Sequence, residues 1–317
     1  MTPTTNRPGL SARENPNRRA IRQSIWLGAA ALALYAGVRS LPVDAGVLHY
    51  ADFGVGQPGA LELCVPGGPQ FVPVDRVRSP VTMTVRSAGD RPVRMGEAAQ
   101  LLVTLTAASG KPVTLDDLLV SHTRKLHLLL IDPSLEDYQH LHPEATGVKG
   151  EFVVAFFPRR SGEYRVFADF TPRATGRALY SGARLQVGLP LETGERSVLV
   201  AESHEVVVEG YRFVLDLDRE MARINEIAEL RLSVTGGDGA PAQLEEIMGA
   251  RAHVVAFDVG RTGFAHLHPV PTEGDGVAEV ALRFQLSLGD PGVYRLWAQV
   301  QIKGRELFAP FTLVVRP

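Results

Sequence analysis

From about Val77 to residue 317 the chain is written in short runs that tend to alternate apolar with polar residues, interrupted by Gly, Pro and Asp. Val81-Thr-Met-Thr-Val85, Gln100-Leu-Leu-Val-Thr-Leu105, Phe152-Val-Val-Ala-Phe156 and Tyr164-Arg-Val-Phe-Ala168 stand in the first half. Glu205-Val-Val-Val208, Tyr211-Arg-Phe-Val-Leu215, Glu229-Leu-Arg-Leu-Ser-Val234 and Phe311-Thr-Leu-Val-Val315 stand in the second. A period of two places alternate side chains on one sheet face. Runs of this length, with turn residues and no helical repeat between them, predict antiparallel β-sandwiches. Only Arg219 to Ala228 departs from the pattern, and there a short helical turn is expected.

The first 76 residues read differently. Residues 1–24 are polar and carry Arg7, Arg13, Arg18, Arg19 and Arg22 against the lone acid Glu14, whereas Ile25 to Val38 holds no charge. A cationic stretch before an apolar one is the pattern of an export signal, with the arginines kept inside. The uncharged run of 14 residues is shorter than the roughly 20 that a bilayer span needs. Extending it from Ser24 to Val43 requires Arg39 to snorkel at the outer interface. Two outcomes are open. One is a signal anchor, a transmembrane helix at 25–43 behind a cytoplasmic basic tail at 1–24. The other is a signal peptide cut at Val43-Asp44-Ala45 or Ala31-Leu32-Ala33. Residues 44–76 then form a Gly/Pro-rich spacer, since nine of the 22 residues from Phe53 to Val74 are Gly or Pro and such a stretch holds no regular structure. Cys64 lies in it. With no second cysteine in the chain, it reads as a small apolar filler.

An internal repeat divides the rest into two modules, 77–190 and 204–317, joined by a linker containing Glu192-Thr-Gly-Glu195. His127-Leu-Leu-Leu-Ile-Asp132 matches His253-Val-Val-Ala-Phe-Asp258, and His140-Leu-His-Pro143 matches His266-Leu-His-Pro269. Gly162-Glu-Tyr-Arg-Val-Phe-Ala168 matches Gly292-Val-Tyr-Arg-Leu-Trp-Ala298. The expected fold class is therefore all-β: two tandem Ig-like antiparallel β-sandwich modules after an N-terminal apolar helix and a Gly/Pro-rich spacer.

Composition works by exclusion. The 33 Lys+Arg nearly cancel the 35 Asp+Glu, so no basic surface points to nucleic acid. A single cysteine rules out an intrachain disulfide framework and a cysteine-rich zinc module. No G-x-S-x-G elbow, Walker loop or H-E-x-x-H is present.

What remains is histidine. Six of the nine histidines fall in two copies of H-x12-H-x-H-P. Residues two apart on a strand share a face, so His140 and His142 can present both rings to one point, and a hairpin returns them beside His127. His253, His266 and His268 repeat the arrangement. Three neutral imidazoles on a sheet surface suit Cu(II), Zn(II) or Ni(II), with an open position for water or substrate. The middle residues Leu141 and Leu267 should then face the core. In a competing reading the histidines hydrogen-bond to loop backbone and fix the same turn twice. His122 and Met248, each five residues before the first histidine of its module, are secondary candidate ligands, although Met248 also reads as a core residue. Asp132 and Asp258 are odd-spaced and read as turn formers. Tyr164 and Tyr294 read as corner tyrosines that lock a sandwich.

Met248-Gly-Ala-x-Ala-His253, Phe264-x-His-Leu-His-Pro269, Gly292-Val-Tyr-Arg-Leu-Trp-Ala298 and the closing Ala309-Pro-Phe-x-Leu-Val-Val315 resemble an exported bacterial β-sandwich group. That group is similar to FixH/YtkA-like and copper-chaperone-like domains. His122-Thr-Arg-Lys-Leu-His127 and Asp137-Tyr-Gln-His-Leu-His-Pro143 look like a divergent copy. The resemblance covers roughly 115–180 and 244–317 and implies an exported sandwich found beside heavy-metal transport functions.

The functional expectation is an extracytoplasmic, membrane-anchored protein handling copper or zinc, with one three-histidine site per module. Its expected partners are the membrane, through the N-terminal segment, and an envelope metal-transport protein. The alternatives are a body secreted after signal cleavage and a non-catalytic Ig-like interaction protein of the cell envelope. A copper oxidase or oxygenase would also need a substrate cleft, which no sequence feature indicates.

Overall fold

The structure is a computed structural model that describes residues 16–40, 48, 71–189, 202–219, 221–270 and 281–317. Helix α1 (Pro16–Ser40) takes in both the uncharged run and the end of the basic stretch. It belongs to a unit, Met1–Val47, separate from the β body at Leu48–Pro317. Among the described residues no helix is long and apolar enough to cross a membrane, which corrects the transmembrane helix expected at 25–43. The physical reason is length: 14 uncharged residues rise about 21 Å at 1.5 Å each, against a hydrocarbon core of about 30 Å. The candidate cleavage site at 43–45, the linker at 192–195 and Cys64 lie outside the described residues.

The first half contributes β1 (Val81–Ser87), β2 (Ala99–Ala107), β3 (Leu118–Leu119), β4 (Leu126–Ile131), β5 (Tyr138–Leu141), β6 (Glu144–Ala145), β7 (Glu151–Phe156), β8 (Gly162–Pro172) and β9 (Leu179–Val187). One sheet runs β1-β2-β7-β6; the other runs β3-β8-β4-β5, with β9 also on β8. The second half contributes β10 (Glu205–Val208), β11 (Tyr211–Leu217), β12 (Ala222–Arg223), β13 (Ile227–Thr235), β14 (Ala252–Asp258), β15 (Phe264–Leu267), β16 (Ala281–Ser287), β17 (Gly292–Ile302) and β18 (Arg305–Arg316). Its sheets run β10-β11-β13-β16 and β12-β18-β17-β14-β15. Apart from the short parallel pair β12–β18, the strand pairs are antiparallel, and both halves are Ig-like β-sandwiches. The helical turn expected at Arg219–Ala228 is not formed among the described residues, because Ala222-Arg223 instead extends the edge beside Val315-Arg316.

Each sandwich has its own core, and a third core joins them. Leu126, Leu128 and Leu130 point into the first sandwich, and Ala252, Val254 and Ala256 into the second. The opposite faces of the same strands are buried as well. Leu129, Ile131, Tyr138 and Phe167 pack with Val255, Phe257, Phe264 and Trp297 in a cluster that also takes in Val72 and Val74. Residues 71–74, from the Gly/Pro-rich lead-in, thus join the body, with Val72 bridging to Phe264. Sheets covered on both sides explain why His127-Leu-Leu-Leu-Ile131 and His253-Val-Val-Ala-Phe257 read as nearly continuous apolar runs.

The corners repeat too. Tyr164 donates its hydroxyl to Asp137 at 2.5 Å and lies 3.1 Å from the Arg160 carbonyl, while Tyr294 donates to the Asp290 carbonyl at 2.8 Å. Asp132 accepts from the amides of Ser134, Glu136 and Asp137, and Asp258 from those of Thr262 and Gly263. Both aspartates shape turns.

Candidate metal centre

Alternation places His127 on the outer face of β4, in line with Leu129 and Ile131, while Leu126, Leu128 and Leu130 face inward. The hairpin to β5 pairs Leu129 with His140 and Leu128 with Leu141. His140 and His142 therefore share the outer face, and Leu141 packs against the inner core. In the second sandwich Val255 pairs with His266 and Val254 with Leu267, and Leu267 is fully buried in its core. Each module face is split along its strands, with an apolar end that joins the shared core and an imidazole end.

The six expected histidines come together as two groups, His127, His140, His142 and His253, His266, His268. Within each group one nitrogen per ring lies within 4.8 Å of the others. His127 Nδ1 is 3.1 Å from both His140 Nε2 and His142 Nε2. The outward nitrogens of His127 and His140 have acceptors. His127 Nε2 donates to the Ser121 carbonyl at 3.0 Å, and His140 Nδ1 to Gln299 Oε1 at 3.0 Å. Gln299 is itself oriented by donating Nε2 to Glu306. With those protons placed, His127 Nδ1 and His140 Nε2 meet as two lone pairs, which cannot bond to each other. A cation about 2.0–2.1 Å from each would see them at about 98°.

The second triad repeats this atom for atom. His253 Nε2 donates to the Ile247 carbonyl at 2.9 Å, and His266 Nδ1 to Asp169 Oδ2 at 3.3 Å. His253 Nδ1, His266 Nε2 and His268 Nε2 are left buried with no hydrogen-bond partner. Unpaired buried polar atoms are costly and few in a folded protein. Here three of them converge.

Burial keeps the rings neutral. It holds His142 down at about 3, helped by the charge His127 would carry, and His253 down at about 4. His140 and His266 are pushed well below the ordinary imidazole range, first by burial and then by neighbouring imidazoles. His127, His268 and His122 are also lowered, with burial the main cause. Neutral imidazole is the form that binds a metal ion. Burial also raises the Asp169 carboxyl, opposed by His127 and His122.

Two residues beyond the triads complete the site. Asp169 pairs with His127 across β8–β4, and Gln299 pairs with His253 across β17–β14. They are equivalent positions of the repeat, and each reaches the other module's H-x-H. The signal was in the sequence: Ala168-Asp169-Phe170 against Ala298-Gln299-Val300, a polar residue at the same place in the repeat, in phase with Phe167 and Trp297. His122 sits in a tight turn closed by Ser121 and Arg124, with positive φ at His122 (49°) and Thr123 (65°). A β-branched residue there is strained by about 1–3 kcal/mol. The His122 ring crosses to the other module and stacks on His268 at 3.5 Å. Met248 takes the matching turn position, φ 51°, and is partly buried. The two turns adjoin, since a Cβ on Gly249 would lie 3.5 Å from Thr123 Cγ2.

The repeat that built this site is also what a family model recognises. The domain of unknown function DUF8832 matches residues 78–182 and 205–317, more than half of the chain. The chain belongs to this family. It is this family that matches, rather than the FixH/YtkA-like or copper-chaperone-like sandwiches the sequence resembled. No curated protein matches. Among solved structures, the Escherichia coli adhesin FdeC is 16% identical, with 78% of this chain and 66% of that one covered, at a TM-score of 0.23. Invasin, a bacterial integrin-binding protein, is 14% identical, with 74% and 39% covered, at 0.22. The chain thus spans less than two thirds of either, and scores this low say nothing of function.

Proposed function

We propose that this protein binds transition-metal ions, copper or zinc, one at each histidine triad, as a handling protein with no catalysis of its own. The observation that carries the reading is the repeated trio of Nδ1, Nε2 and Nε2, kept neutral by burial, with two rings of each trio turned inward by an acceptor on the other ring nitrogen. A ligating histidine is characteristically fixed in this way through its second nitrogen. Neutral nitrogen donors without thiolates suit Cu(II) and Zn(II). The cationic-then-apolar N-terminal segment supports an exported body, and the exposed Ile25, Trp26, Leu27 and Leu34 of α1 support association of that segment with a membrane. An envelope metal transporter is the partner this location favours.

The test is a calorimetric titration of the full chain with Cu(II) and with Zn(II). Two ions per chain are expected, each bound more tightly than about 10 μM, or roughly −7 kcal/mol. Lack of binding at that level ends the metal reading. A second reading, an envelope interaction protein whose histidines fix turns, is favoured by the bonds from His127 and His253 to the Ser121 and Ile247 carbonyls. It requires His140→Ala and His266→Ala to lower the melting temperature equally with and without metal.

A further inference from the structure

We infer that the two triads form one paired, two-ion centre created by the docking of the sandwiches, rather than two independent sites. This rests on the metal reading and goes beyond it. Ring centroids within a triad are 4.6–5.5 Å apart, as for His266–His268 and His253–His266. Between triads they are hardly farther: His140–His266 is 5.2 Å, His127–His266 is 5.9 Å and His140–His253 is 6.2 Å. His122 closes the junction, 6.3 Å from both His127 and His253 while stacked on His268.

The separation is fixed, because every triad ring hangs from or directly follows a strand of the two sheets clamped by the shared apolar core. The orienting groups cross as well: Gln299 of the second module holds His140, and Asp169 of the first holds His266. Neither triad keeps all of its orienting contacts without the other module. Two cations seated on rings in mutual contact would sense each other, and Asp169 is the carboxylate bonded to a triad ring at their junction.

Paramagnetic resonance of the full chain loaded with Cu(II) tests this directly. At two ions per chain the spectrum should be broadened by dipolar interaction, with a half-field transition. His142→Gln and His268→Gln each leave one triad intact and should bind a single ion with a narrow, isolated signal. If a variant does not fold, the wild-type protein supplies the comparison: the narrow signal of substoichiometric loading should lose at least half its intensity per ion at saturation. A two-ion spectrum equal to the sum of two isolated signals overturns the pairing, as does a stoichiometry of one ion per chain. Absence of any copper or zinc binding instead overturns the metal reading beneath it.

Discussion

At the scale of single residues, the two triads use the same nitrogens but not the same neighbours. His140 donates Nδ1 to an uncharged amide, Gln299, whereas His266 donates Nδ1 to the Asp169 carboxylate. A carboxylate behind an imidazole raises its basicity and ligand strength, and losing such a partner costs about 10–100-fold in affinity. Asp169→Asn keeps an acceptor oxygen and removes the charge. It should therefore weaken the second-module site by about tenfold or more and leave the first within a factor of a few. Calorimetric titration that resolves two classes of site measures this. An unchanged pair of affinities would mean that Asp169 neither orients nor charges the centre.

At the scale of elements, β4 and β14 are buried on both faces, and only one face of each serves its own sandwich. The other supplies the core between the modules. There the Phe257 ring lies 5.5 Å from Tyr138 and 6.2 Å from Phe167, which it stacks. Truncating a fully buried phenylalanine removes its transfer energy and leaves a cavity, at about 3–5 kcal/mol. Phe257→Ala should lower the unfolding free energy by that amount in urea denaturation, since its contacts come from both modules. A loss below about 1 kcal/mol, the range of an ordinary surface substitution, would show that the shared core contributes little to stability.

At the scale of the whole molecule, burying so many imidazoles makes the metal-free protein sensitive to acid. A histidine whose folded pKa lies below its unfolded value near 6.5 takes up its proton more readily when unfolded. Its share of stability is full above that value and is lost as the pH falls, here toward about 4 for His253 and about 3 for His142. Asp169 is raised, so its share has the opposite sign, present at low pH and lost as pH rises. The lowered histidines of the two triads outnumber it. With chelator present, the melting temperature should therefore fall steadily from pH 7 to pH 4, and a flat or rising profile would contradict the burial described above. Metal binding should counter the fall near neutrality, by about 2.7 kcal/mol for each ion bound at a free concentration of 100 times Kd.

The period-two runs and the repeat of H-x12-H-x-H-P were enough, by themselves, to establish two β modules, three histidines on one face of each, and Leu141 and Leu267 turned to the core. Those features follow from strand geometry, which acts over a few residues and is written locally. The strand tyrosines and turn aspartates were legible for the same reason. The expected helical turn at Arg219–Ala228 was not, because pairing of Ala222-Arg223 with the distant Val315-Arg316 overrode local preference. Only the tertiary structure decided that the histidine faces meet, that His122 leans on the other module's His268, and that Asp169 and Gln299 exchange modules to hold His266 and His140. Those contacts join residues up to 159 apart in the chain. They depend on how two apolar faces dock, and no local period records that.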